Sequence, residues 1–418
     1  MAHDTWYRMD NVAKVFLASA NDRDTRSFRM SCTLNEDIDE STLNQAVQLA
    51  AKERPQYQVT ILRGFFWHYM EQIDMLPTVK MEDERPCPML IDSKTFGKLH
   101  YQVTYYHNRI NLDFFHAIAD GNGAIEFLNL IVYHYLKLRH PNEIPILAMT
   151  SGASEADLSQ DSFKHYFSKK NSTVKKKKQK IAYHLKGVKL PYNQLLFMEV
   201  HMNVDDILKK AKDMNITLTA YVAAKLMMSI YRDMPVIKRI QPVTISMPVN
   251  LRNYYPSNTS RNFFNSVTVS HLFKSTDTFE SVAEQFSKDL KEELTPEMVE
   301  ARMIDYEKLE NFFFIRMVPL FMKNPAVNIV TRRVNRRVTA VLSNLGRLKV
   351  PEELNSYIRS YSAFCSTGSL FTVLSTYNGK LVMSISSAYK STQVLRDFIK
   401  GFADDGIDVT VYSTEVYN

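Results

Sequence analysis

Between His100 and Leu138 the hydrophobic pattern changes period abruptly. This change restricts the fold more than any other stretch of the 418-residue chain. His100 to Tyr106 and Ile110 to Phe115 are two apolar, β-favouring runs. The polar turn His107-Asn108-Arg109 separates them, so the segment reads as a hairpin. Ala124, Phe127, Leu128, Ile131, Tyr135 and Leu138 then recur at helical spacing. The junction is Phe114-Phe115-His116-Ala117-Ile118-Ala119-Asp120-Gly121. At a strand end, a side chain can project into a cleft while the sheet holds its base rigid. That suits a general base, which must meet a proton at about 3 Å.

The pattern H-x-x-x-D-G has a plainer reading, a satisfied histidine at a strand–helix junction with Asp120 as the helix cap. A metal site is not expected. His116 and Asp120 are four residues apart, but Asp120-Gly121-Asn122-Gly123 is turn-like and no ligand cluster lies nearby in sequence.

The length predicts two domains. A hydrophobic content of 45% supports a real core, and 11 Gly against 22 Tyr and 24 Phe argues against disorder. The net charge of +7 favours anionic partners, nucleotide-bearing co-substrates as well as nucleic acid. Cys32, Cys87 and Cys365 are too scattered for a metal site or a disulfide framework, so a reducing cytosol is expected. Met1 to Trp6 carries no signal-peptide pattern, and no apolar run is long enough for a membrane helix.

In chain order, Trp6 to Ala18 is amphipathic and Ser27 to Leu34 is a strand. Ser41 opens a helix that ends at Pro55, and Tyr57 to Leu62 is a strand. Phe65, Phe66, Trp67 and Tyr69 either line a cleft or fill core, and core is the expectation. Lys164 to Lys189 contains no acidic residue and ten lysines: 164, 169, 170, 175, 176, 177, 178, 180, 186 and 189. This composition shift divides the chain into 1–163, a basic linker 164–190, and 191–418. The linker is either solvated or a surface for an anionic partner, such as a phosphate-bearing co-substrate, an acidic protein or an anionic membrane. No aromatic residue interleaves with Lys175 to Lys180, so nucleic acid is not expected.

The second half offers strands at Leu195 to Asn203 and Val243 to Val249. Helices open at Val204, Thr217 and Phe279. Arg252 follows a strand end and precedes Asn262-Phe263. A buried Asp120 needs a cation, and a guanidinium can bind it bidentately, so Arg252 is the expected partner and Arg261 the spare. Leu309 to Met322 is strongly apolar, expected as a buried helix, with Arg332, Arg333, Arg336 and Arg337 as a solvated face. Val338 to Leu342 is a strand leading to a turn at Ser343-Asn344-Leu345-Gly346. Tyr377-Asn378-Gly379-Lys380 closes a hairpin.

Taken together, H-x-x-x-D-G at His116, Asp120 and Gly121, Arg252 with Asn262-Phe263, and Ser343-Asn344-Leu345-Gly346 resemble the CoA-dependent acyltransferase superfamily. That superfamily includes chloramphenicol acetyltransferase, plant BAHD enzymes, alcohol acetyltransferases, wax-ester synthases and peptide-synthetase condensation domains. Arg63-Gly64-Phe65-Phe66-Trp67 ahead of the motif resembles bacterial alcohol-acetyltransferase-like proteins. Phe115 stands where many members carry a second histidine.

The resemblance implies an α/β fold, two chloramphenicol-acetyltransferase-like sandwich halves around a central substrate tunnel. It implies that His116 deprotonates a small alcohol or amine acceptor, which attacks an acyl thioester, expected as acetyl-CoA. Asp120 is structural, paired with Arg252, and Ser343 or Asn344 holds the thioester carbonyl or oxyanion. Acyl-CoA enters as co-substrate, with no permanently bound cofactor, metal or phosphate-binding glycine loop. An acyl carrier protein is the alternative donor, and a non-catalytic binding protein of the same fold is the other alternative.

Overall fold

The computed structural model describes residues 6–91, 97–149, 154–167, 174, 179–192, 194–311 and 318–414. Its first half runs β1 (Trp6–Arg8), α1 (Asn11–Ser19), β2 (Ser27–Leu34), α2 (Glu40–Glu53), β3 (Val59–Arg63), β4 (His68–Gln72), β5 (Val79–Met81), β6 (Tyr101–Tyr106), β7 (Arg109–Phe115) and α3 (Gly121–Arg139). Two short helices follow, α4 (Glu155–Leu158) and α5 (Ser162–Phe167). The second half contains β8 (Leu196–Asn203), α6 (Val204–Asp213), α7 (Leu218–Asp233), β9 (Val243–Asn250), β10 (Phe264–His271), α8 (Phe279–Glu293) and α9 (Pro296–Asn311). It ends with α10 (Leu320–Asn335), β11 (Ala340–Arg347), β12 (Ile358–Cys365), β13 (Leu370–Tyr377), β14 (Lys380–Ser387), α11 (Gln393–Ala403) and β15 (Thr410–Ser413).

These elements make a two-lobed α/β molecule. The first lobe is built on a five-stranded sheet of order β12-β2-β7-β6-β5, the second on a seven-stranded sheet of order β10-β9-β11-β13-β14-β8-β15. A separate three-stranded sheet has the order β1-β4-β3. Each large sheet buries its own apolar cluster. Val47, Leu112, Phe127 and Ile131 belong to the first, and Ile207, Leu226, Ile245 and Phe398 to the second.

Strand β12 joins the lobes. It lies late in the chain, yet it pairs antiparallel with β2, setting Tyr361 opposite Cys32. It is also bound to the second sheet: Ser375 Oγ donates to the Tyr361 carbonyl at 2.8 Å, and the Ala363 N–H donates to Ser384 Oγ at 3.2 Å. Arg109 on β7 adds a second tie. Its guanidinium holds Glu199 on β8 through two bonds of 2.7 and 3.0 Å. A planar fork of donors matched to a carboxylate resists sliding of one lobe past the other.

Four local expectations change. Leu309 to Met322 is not one buried helix: α9 ends at Asn311, α10 begins at Leu320, and Phe321 and Met322 are exposed. Helix α2 is capped by Asp39 rather than Ser41, because the helix already begins at Glu40: Asp39 Oδ1 accepts from the Thr42 N–H at 2.8 Å, and the Ser41 hydroxyl, inside the first turn, donates to the same oxygen at 2.9 Å. The stretch Ser343–Gly346 lies inside strand β11, where the register with β13 shifts between Asn344 and Arg347 and Gly346 takes φ 73°. It is a bulge, which a left-handed glycine permits. Phe65 and Phe66 are not core, being 68% and 38% exposed beside the start of α10. Phe312, Phe313, Phe314 and Met317 of the apolar stretch lie outside the described residues, as do Lys169, Lys170 and Lys175 to Lys178. Residues 179–190 run along the second lobe, with Ala182 and Tyr183 buried and their N–H groups bonded to Arg336 and Pro242.

Candidate active site

Strand β7 ends at Phe115, and the next backbone N–H, that of His116, donates to the Arg26 carbonyl at 2.9 Å. Arg26 has φ 56°, a backbone conformation uncommon for a residue with a side chain. Its guanidinium pairs with Asp24 at 3.1 Å. The His116 imidazole is packed among the rings of Phe16, Phe28 and Phe264, with centroids 4.3, 4.7 and 5.5 Å away. Burial pushes the imidazole pKa below its ordinary value. The residue's own carbonyl, the Asp120 charge and Asn262 only partly oppose this. His116 is therefore neutral near pH 7.

Asn262 decides which imidazole nitrogen carries the proton. Its Nδ2 donates to the His116 backbone carbonyl at 3.0 Å, and a carbonyl can only accept. The other end of the amide, Oδ1, must then face the ring, where it lies 3.3 Å from Nδ1. Oδ1 is an acceptor, so Nδ1 carries the hydrogen and Nε2 keeps its lone pair. Among the described residues Nε2 has no hydrogen-bond partner.

Asp120 is both helix cap and ion-pair member. Its Oδ1 accepts from the Gly123 N–H at 3.0 Å, capping α3. Its Oδ2 accepts from Arg252 at 2.7 Å and from the Phe263 N–H at 3.0 Å. The second Arg252 amine donates to the Thr259 and Arg261 carbonyls at 2.7 and 2.9 Å. One carboxylate and one guanidinium thus fix the loop that presents Asn262 to His116. Arg261 turns away to the Arg8 carbonyl, at 2.6 Å.

The glycines are spatial requirements. A Cβ on Gly123 would lie 2.4 Å from the Ser260 carbonyl, so α3 could not approach this loop. A Cβ on Gly121 would meet Met30 and Leu345 at 3.3 and 3.4 Å and narrow the cavity wall.

His116, Asp120, Gly121, Arg252, Ser343 and Asn344 all line one cavity of about 390 Å³ between the lobes. Phe28, Met30, Ile125, Val249, Phe264 and Phe371 give it apolar walls. The Asn344 amide is committed, donating to Thr219 Oγ1 at 2.8 Å and accepting from the Gly346 N–H at 2.8 Å. Ser343 lies one residue earlier on the same bulged strand and lines the same cavity. The aromatic seat of His116 was not foreseen from sequence, nor were the roles of Arg26 and Asn262. Asn262 stands 146 residues from His116, and no local periodicity connects the two.

The alcohol acetyltransferase family pattern matches residues 143–404, more than half of the chain. The chain belongs to the alcohol acetyltransferase family. The matched span contains Arg252, Asn262, Ser343 and Asn344, and it begins downstream of His116 and Asp120. No curated protein sequence matches this family member.

Solved structures resemble it over nearly their full lengths. Polyketide synthase associated protein 5 from Mycobacterium tuberculosis is 13% identical, with a TM-score of 0.61, covering 94% of this chain and 95% of its own. Trichothecene 15-O-acetyltransferase from Fusarium sporotrichioides is 12% identical, with a TM-score of 0.60 and 95% of each chain covered. A starter condensation domain of rhizomide synthetase, solved with C8-CoA and Leu-SNAC, is 11% identical with a TM-score of 0.60, covering 95% of this chain and 93% of its own. At such identities the likeness establishes the acyltransferase and condensation-domain fold. Family membership makes this chain an acyltransferase.

Proposed function

We propose that the protein moves an acyl group, acetyl in the first instance, from acyl-CoA to a small alcohol or amine, with His116 as general base. The observation that carries this reading is the Asn262 amide. It fixes the proton on Nδ1 and leaves the Nε2 lone pair without a partner among the described residues, on a side chain that lines the cavity. The acceptor O–H or N–H donates to Nε2, and its heteroatom attacks the thioester carbonyl. The developing oxyanion takes a hydrogen bond from Ser343, whose hydroxyl is the better candidate because the Asn344 amide is already engaged. The C–S bond then breaks, and the CoA thiolate takes the proton back from Nε2. Asp120 and Arg252 hold the loop and touch no reacting atom. The reaction needs no bound metal, and a cytosolic location fits both the CoA donor and the unpaired cysteines.

The test is a thiol-release assay with a panel of acyl-CoAs and pooled alcohols and amines, read by mass spectrometry of the products. An ester or amide formed with wild type and absent with His116→Ala supports the reading. Turnover only with acylated carrier protein would replace CoA by a carrier donor. No turnover with either donor would make this a binding protein.

A further inference from the structure

Helix α10 is turned inside out. Leu320 is buried at its start, and the face toward the protein continues with Asn324, Val327, Asn328 and Thr331, all only part-exposed and three of them polar. The outward face carries the apolar residues. Phe321, Met322, Ile329, Val330 and Val334 are 51–62% exposed, with Pro325 and Ala326 between them. A helix on a protein surface ordinarily does the reverse. The patch extends beyond the helix, because the Leu320 N–H donates to the Phe65 carbonyl at 3.0 Å and Lys323 to the Phe66 carbonyl at 3.1 Å. Lys323 also sits 3.5 Å over the Trp67 ring. Phe65 and Phe66, themselves exposed, thereby continue the apolar surface.

The charge beside this surface has one sign. Arg332, Arg333, Arg336 and Arg337 are exposed at the helix end, and no acidic residue falls between Glu310 and Glu352. We infer that α10 with Phe65 and Phe66 docks on an anionic lipid bilayer, lying in the plane of the interface. Apolar side chains would enter the boundary of the acyl region, and the arginines would meet lipid phosphates. The charge pattern disfavours a second copy of the chain. A second copy would bring the same wholly basic stretch, which holds no acidic residue between Glu310 and Glu352 to answer the arginines of its mate. The helix packs on α1, which carries Phe16 against His116. Docking there would bring the bilayer to the side of the molecule on which the His116 ring is seated. The inference concerns binding and stands whether or not acyl transfer is found.

The experiment is co-sedimentation of the full chain with vesicles of phosphatidylcholine alone and of phosphatidylcholine with one third phosphatidylglycerol. Wild type should pellet with the anionic vesicles only and be released by high salt. Arg332→Glu with Arg333→Glu should weaken binding by about tenfold or more. Ile329→Asp with Val330→Asp should do the same while leaving the melting curve unchanged, because these side chains are exposed. Fluorescence of the two tryptophans gives a second readout, a blue shift on anionic vesicles only. Three results would overturn the inference: no pelleting, equal pelleting on neutral vesicles, or a dimer in sedimentation velocity that the same variants abolish.

Discussion

Two buried aspartates cap helices on either side of His116, and the chain treats them differently. Asp120 caps α3 with one oxygen and gives the other to Arg252 at 2.7 Å and to the Phe263 N–H. Asp10 caps α1 in the same way, its Oδ1 accepting from the Ala13 N–H at 2.7 Å. Its Oδ2, however, makes no hydrogen bond, and the nearest guanidinium, that of Arg261, stands 3.6 Å off. Burial raises the Asp10 pKa to about 6, with Arg261 and the Ala13 N–H only partly opposing it. A cap needs one oxygen. What the second oxygen meets decides whether the carboxylate is a fixed charge that can hold a loop or a buried group close to protonation.

Breaking the Asp120 side should have the largest effect. Arg252→Ala strands a buried carboxylate and frees the loop from Thr259 to Phe263. We expect a loss of about 3–5 kcal/mol in stability by denaturant titration, and acyl transfer reduced by at least about a hundredfold. Arg252→Lys supplies the charge without the fork and should recover stability better than rate.

Next in size is Asn262. Asn262→Ala leaves the imidazole free to carry its hydrogen on Nε2, so kcat should fall by about tenfold or more while KM changes little. Asn262→Asp places a negative charge beside Nδ1 and raises the His116 pKa. Wild-type kcat/KM should lose activity only below the ordinary histidine range, whereas the variant's acid limb should shift upward. Superimposable pH profiles would remove Asn262 from the account.

The smallest effect belongs to Asp10. Its folded pKa of about 6 lies above the unfolded value near 4. Its contribution to stability is therefore fully present below about pH 4 and is lost as pH rises through 6. Asp10→Asn imitates the protonated form. It should match wild type in thermal unfolding near pH 4 and exceed it by about 2 kcal/mol at pH 8. The same change at Asp120 should destabilise, since there the charge is answered by Arg252.

This contrast also marks what could be read from sequence. The strand–helix junction at His116 is visible because a period of two gives way to a helical one, and Ser27–Leu34 was legible from its length and β-favouring residues. The Asp120–Arg252 pair was reachable by asking which cation a buried carboxylate would need. Strand β12 was not legible. Its serines, Ser360 and Ser362, blur the apolar alternation, and its partner β2 lies more than three hundred residues away. The inverted face of α10 was hidden for the opposite reason, since an apolar run predicts burial unless something outside the chain covers it. Asn262 was seen only as part of a segment, because its role arises from a contact that no local pattern encodes.

The most direct test of the account is single-turnover CoA release by wild type and His116→Ala, with equal folding verified by circular dichroism and melting. With neutral His116 taking the acceptor's proton, the variant should release CoA at least about a thousandfold more slowly. A folded variant that releases CoA at the wild-type rate, with the same acylated product, would contradict it.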